Sequence, residues 1–181
     1  MSEVPLWMYM VFAGMLGAVV GSFLNVVIHR VPRAESIVKP GSHCPECGRP
    51  IKPWNNIPLL SWLFLRGKCP DCGAGISARY FLVELAAVIV AVAPVWWFGP
   101  NIDAVGGMIL GWHLIALAVI DLETLTVPDH VVLPMLLFGL VYAGVRDGWG
   151  GLGAAIVAGL IGAMFPLFVM VVSKYVMRRD G

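Results

Sequence analysis

The chain has 181 residues, 59% of them hydrophobic and 13% charged, with a formal net charge of +1 and a mean hydropathy of +0.85. A water-soluble domain of this size carries about a quarter charged residues, so the composition excludes an ordinary soluble enzyme and describes an all-α polytopic membrane protein. The net charge says little about partners beyond the lipid bilayer, and no nucleic acid is expected among them.

Five apolar stretches are predicted to cross the membrane, at 6–28, 80–98, 105–125, 130–146 and 151–175, since a hydrocarbon core of about 30 Å takes about 20 helical residues. The fourth is the shortest. The first is not a cleavable signal, because Met1, Ser2 and Glu3 supply no positive leader and its apolar run is too long. Residues 1–29 thus form a first membrane helix, 30–79 a polar loop domain and 80–181 a membrane core. The loop holds Arg30, Arg33, Lys39, Arg49, Lys52, Arg66, Lys68 and Arg79, and the tail adds Lys174, Arg178 and Arg179. With five spans, eleven of the twelve Lys and Arg residues share one face, opposed only by Arg146. Positive charge marks the cytoplasmic side of an inner (plasma) membrane, which puts the N-terminus outside and the loop and C-terminus in the cytoplasm. Trp7, Trp96, Trp97 and Trp149 then lie at the outer boundary as an aromatic belt. Small residues four apart, Gly17 with Gly21, Gly107 with Gly111 and Ala155 with Gly159, are expected at close helix contacts.

All four cysteines fall in the cytoplasmic loop, as "CPECG" (44–48) and "CPDCG" (69–73), with twenty-one residues between the pairs. Two residues between cysteines let both sulfurs face one ion, and the following glycine permits the positive φ such a turn needs. Cys44, Cys47, Cys69 and Cys72 are therefore predicted to bind a structural zinc ion, iron being less expected without a visible redox partner. The competing pair of disulfides is disfavoured in a reducing cytoplasm. His43 is expected to be a solvated loop residue. Between the knuckles, "NNIPLLSWLFL" (55–65) is too short to span and is expected to lie against the membrane face, tying the metal knob to the bundle.

"GSFLNVVIHRVP" (21–32), the paired knuckles, "NNIPLLSWLFLRGKCPDCG" (55–73), "ISARYFLVE" (76–84) and "IDLETLTVPD" (120–129) occur in that order. Together they closely resemble the type IV prepilin peptidases, also called prepilin leader peptidases. The resemblance implies a membrane-embedded aspartic endopeptidase that removes the leader of type IV prepilins or type II secretion pseudopilins at the cytoplasmic face. It implies too, for many members, methylation of the new N-terminus with S-adenosylmethionine. Residues 80–181 would then be the N-terminal portion of the peptidase core, and Asp121 the first catalytic aspartate. Val127 stands where the family more often has leucine.

Asp121 also draws attention by itself, because a charged carboxylate at the bilayer centre costs roughly 2.5–3.5 kcal/mol on insertion scales. Counted from Val105 it lies about 24 Å along the third span, near the cytoplasmic end, where Pro128 is expected to stop the helix. A helix-end carboxylate reaching headgroup water is the alternative. Glu123 is expected to be solvated, Asp129 to cap the next helix, and His113 to bond inside the bundle. Glu84 is read as structural at a positive helix end or as a methyltransferase contact.

In the family the second aspartate sits in a Gly-x-Gly-Asp motif, which this sequence does not contain. Asp180, in a basic tail, and Asp147, on the opposite side, are poor substitutes. The expectation is a truncated chain, ahead of one half of a split peptidase whose partner supplies the second aspartate, or a degenerate zinc-stabilised scaffold without activity. Little or no peptidase activity is expected from the isolated chain. A zinc metalloprotease is disfavoured, since His-Glu-x-x-His is absent and every predicted metal ligand is sulfur.

Overall fold

The computed structural model describes residues 4–177, with side chains omitted at 165–167, 169–171 and 173–177. Among the described residues there are five α-helices: α1 (Leu6–Arg30), the short α2 (Leu60–Phe64), α3 (Ala78–Phe98), α4 (Ile102–Thr124) and α5 (Asp129–Met177). Among the described residues there is no strand, only isolated bridges between His43 and Pro50 and between Lys68 and Gly75. The chain divides into two compact units, residues 1–133 and 134–181. Lys174's side chain and all of Arg178, Arg179 and Asp180 lie outside the described set.

Among the described residues, four helices are long and apolar enough to cross a membrane: Leu6–Arg33, Ala78–Phe98, Ile102–Thr124 and Asp129–Met164. The sequence predicts five spans, and the difference lies in α5, which contains both the fourth and the fifth. That element is broken at Gly148, whose φ of 63° and ψ of −150° are not helical. A Cβ built on Gly151 would sit 2.5 Å from the Ala143 carbonyl oxygen, whereas residues eight apart in a continuous helix are separated by about 12 Å. The chain therefore turns sharply at the predicted boundary, and only glycine adopts that backbone without strain.

In the first unit, α1 and α3 run antiparallel and almost touch. A Cβ on Gly17 would lie 2.7 Å from the Ala87 carbonyl oxygen, and one on Gly21 would lie 2.7 Å from the Glu84 Cα. Lipid tails are as apolar as leucine, so close van der Waals packing, not water exclusion, holds membrane helices together. The predicted Gly17–Gly21 stripe makes that contact. Gly107 and Gly111 serve α4 in the same way, facing Pro94 and Val90 of α3. Gly159, by contrast, has nothing within 4 Å of an added Cβ, so the expected Ala155–Gly159 contact is not seen among the described residues.

Where the three helices meet, Leu24 and Ile28 of α1, Val83 and Ala87 of α3, and Ala116 and Ile120 of α4 form one buried cluster. The Trp112 indole N–H donates to the Ala87 carbonyl at 3.1 Å and ties α4 to α3. Ser77 caps α3 by accepting the Arg79 N–H, and Asn101 caps α4 by accepting that of Ala104. His113 turns back to the Ile109 carbonyl of its own helix.

Candidate metal centre and helix-end carboxylate

The two cysteine knuckles are built alike. In the first, the Cys44 N–H donates to the Arg49 carbonyl at 3.0 Å and the Gly48 N–H to the Cys44 carbonyl at 2.8 Å. In the second, Cys69 donates to Ala74 at 2.8 Å and Gly73 to Cys69 at 2.9 Å. Gly48 and Gly73 have φ of 69° and 74°, as the Cys-x2-Cys-Gly reading requires. Arg49 reaches across to Asp71, 3.4 Å away, joining one knuckle to the other.

All four cysteines are free thiols, and their sulfurs lie within 4.8 Å of one another. Tetrahedral zinc–sulfur bonds of about 2.3 Å imply sulfur–sulfur edges of about 3.8 Å, and Cys44 Sγ is 3.9 Å from Cys72 Sγ. The donor set fits a thiophilic divalent ion. The N–H groups of Cys47 and Glu46 favour the Cys44 thiolate and pull its pKa down to about 7. At Cys72 the Ala74 N–H also favours the thiolate, but desolvation and the three neighbouring sulfurs outweigh it and push the pKa up to about 12. Four sulfurs this close resist sharing negative charge unless a cation joins them. His43 is not part of the set: its Nδ1–H donates to the Gly41 carbonyl.

The loop is fastened to the bundle by the segment the sequence singles out. The Trp62 indole N–H donates to the Ile76 carbonyl at 3.2 Å, and its ring packs on Phe81 of α3 with centroids 5.2 Å apart. The other face of α2 leaves Leu60, Leu63 and Phe64 exposed. Glu84 is buried at 8% exposure and accepts the Leu59 N–H at 2.6 Å. Because Glu84 is in the second turn of α3, the positive helix end expected to stabilise it has largely faded. Beside it, Asn25 donates to the Tyr80 carbonyl at 3.0 Å.

Asp121 lies in the last turn of α4. Its neighbour Ile120 is completely buried, and successive helical residues point about 100° apart, so locking Ile120 inward turns Asp121 to the exposed side. The helix does not run on to Pro128 as expected. It stops at Thr124 because Leu125 adopts a left-handed conformation, with φ 52° and ψ 35°, and donates its N–H to the Asp121 carbonyl. Pro128 instead opens α5, accepting the N–H groups of Val131 and Val132. Asp129 is the first residue of α5 and not its cap.

Glu123 is exposed, as the sequence reading expects, but it is also paired. Arg79, at the start of α3, holds both its carboxylate oxygens, at 2.5 and 2.7 Å. Nothing local signals a pair formed 44 residues apart. Both residues of the pair line a groove of about 630 Å³ between α3 and α4, together with Leu82, Val83, Ala86, Ile115, Val119 and Leu122. Ser77, Arg79 and Glu123 are the polar groups of that groove. So apolar a lining does not fit a charged nucleoside such as S-adenosylmethionine, and no methyl-donor residue is assigned.

Comparison with known proteins fits this arrangement. Residues 15–98 match the bacterial peptidase A24 N-terminal domain, and residues 108–179 match the type IV leader peptidase family. A prepilin leader peptidase/N-methyltransferase of Aeromonas hydrophila is 38% identical over 180 residues, covering 86% of this chain and 62% of that protein. The protein of the same description from Pseudomonas aeruginosa is 40% identical, over 83% of this chain and 58% of its own length. That from Dichelobacter nodosus is 34% identical, over 99% of this chain and 71% of its own. The chain thus spans about three fifths of the length of the Aeromonas and Pseudomonas relatives. No solved structure matches. Two family models in tandem, and relatives matched along nearly the whole chain, show that it belongs to the type IV leader peptidase family.

Proposed function

We propose that these residues belong to an aspartic endopeptidase that cleaves the leader from type IV prepilins or type II secretion pseudopilins at the cytoplasmic face of the inner membrane. Asp121 supplies one of its two catalytic carboxylates. Two neighbouring carboxyl groups share one proton, because like charges a few ångströms apart resist joint ionisation. The ionised member takes a proton from water while the protonated one donates to the scissile carbonyl. The second acid is proposed to come from outside residues 1–181, from further sequence or a second chain, so these residues alone cleave little or no substrate.

Cys44, Cys47, Cys69 and Cys72 are proposed to hold zinc, which would cross-link the two knuckles and leave no position open for water. Its role is structural. The orientation follows the charge asymmetry, with the N-terminus outside and the cysteine loop inside. Methylation of the trimmed N-terminus with S-adenosylmethionine is proposed on the strength of family membership, without an assigned pocket.

The observation that carries this reading is the placing of Asp121 within the last turn of α4, turned outward by the buried Ile120. The test is Asp121→Ala in the genomic reading frame that carries these residues. Processing of a prepilin is expected to stop, while membrane accumulation, zinc content and substrate capture persist. Continued processing overturns the peptidase role of Asp121 and leaves the scaffold reading in its place.

A further inference from the structure

Leu59 has φ 62° and ψ −51°, and the Leu60 N–H donates to the Pro58 carbonyl at 2.7 Å. This is a three-residue γ-turn of the rare hand that strains any residue with a Cβ. Such a turn persists only where its surroundings hold it. The Leu59 N–H points at Glu84 Oε2, 2.6 Å away. Glu84 in turn is fixed at the α1–α3 crossing, where its Cα faces Gly21. Downstream of the turn the chain is tied continuously to the second knuckle. The Gly67 N–H donates to the Trp62 carbonyl and the Ile76 N–H to that of Gly67, and Cys69 follows two residues after Gly67.

We propose that Glu84 is a positioning residue for the cysteine loop: by holding the strained turn at Leu59, it sets the second knuckle against α1 and α3. The proposal stands apart from the role of Asp121, and it explains a buried carboxylate in the second turn of α3 that the peptidase chemistry does not use.

Hydrogen exchange across residues 57–65, measured by mass spectrometry on the full chain in lipid nanodiscs, tests it. Glu84→Ala is expected to speed exchange about tenfold, and Glu84→Gln, which keeps a carbonyl acceptor, to stay within about threefold of the parent. Adding Leu59→Gly to Glu84→Ala is expected to restore slow exchange, since glycine adopts the left-handed turn without a clamp. Zinc content stays equal in all of them, which separates release of the loop from its unfolding. Parent-like exchange in Glu84→Ala overturns the proposal, as does failure of Leu59→Gly to restore protection. Should Glu84→Ala not accumulate, Leu59→Pro carries the test: it removes the N–H and forbids the positive φ, and unchanged exchange there is equally fatal.

Discussion

Gly21→Ala gives a stability test whose size follows from the geometry. The new methyl would sit 2.7 Å from the Glu84 Cα and 2.9 Å from the Ala87 Cβ. Both are backbone or first side-chain atoms, so no rotamer change relieves the clash and the helices must part by most of an ångström. Overpacking of this kind costs about 1–3 kcal/mol, against about 1 kcal/mol gained by replacing glycine with alanine in a helix. The net expectation is a loss of up to about 2 kcal/mol. Gly14 supplies the control on the same helix. There the added Cβ meets Val92 at 3.5 Å and Val88 at 3.9 Å, ordinary contact distances. Gly14→Ala is therefore expected to be neutral or to stabilise by up to about 1 kcal/mol. Unfolding in mixed micelles by dodecyl sulfate titration, followed by circular dichroism, reads both variants. Because both variants gain the same helix propensity, Gly21→Ala should be less stable than Gly14→Ala by about the overpacking cost of 1–3 kcal/mol, and equal stability of the two would refute the close α1–α3 crossing.

Three further outcomes are expected. Replacing Arg79 or Glu123 by Ala should each cost up to about 1 kcal/mol, because one guanidinium nitrogen, Arg79 Nη1, holds both carboxylate oxygens while the pair is partly open to solvent at 22% and 33% exposure. The charge-exchanged double variant, Arg79→Glu with Glu123→Arg, should recover part of that loss in a double-mutant cycle, and purely additive losses would deny the pairing. Treatment with a zinc chelator should expose residues 42–76 to hydrogen exchange and leave α3 and α4 protected, whereas loss of protection throughout would contradict a metal role confined to the loop. Metal retention should weaken as pH falls, because Cys72, with its pKa raised to about 12, must lose a proton to become a ligand. Retention independent of pH between 5 and 8 would argue against four thiolate ligands.

Features written in local composition were legible in the sequence. Hydropathy marks α1, α3 and α4 within a few residues, because a membrane span must satisfy its own backbone. The knuckles follow from Cys-x2-Cys-Gly spacing alone, and the helical glycine stripes anticipate two of three close contacts. What failed was non-local or conformational. Pro128 looked like the end of α4, but Leu125 ends it first in a left-handed conformation that leucine seldom adopts. Glu123 looked free because its partner Arg79 is reached only through the packing of α3 on α4. Glu84 looked like a helix-end charge, and its bond to Leu59 depends on how the loop folds back. The misses at Glu123 and Glu84 are tertiary contacts that no local expectation contains, and that at Leu125 is a backbone conformation that leucine seldom adopts.

The pairing of Asp121 with a second acid is tested most directly by Asp121→Asn, which keeps the shape of the side chain and removes its acid chemistry. In the genomic reading frame that carries these residues, single-turnover cleavage of a prepilin should fall at least about a thousandfold, with zinc content and substrate binding unchanged. Cleavage at the parent rate would contradict the account.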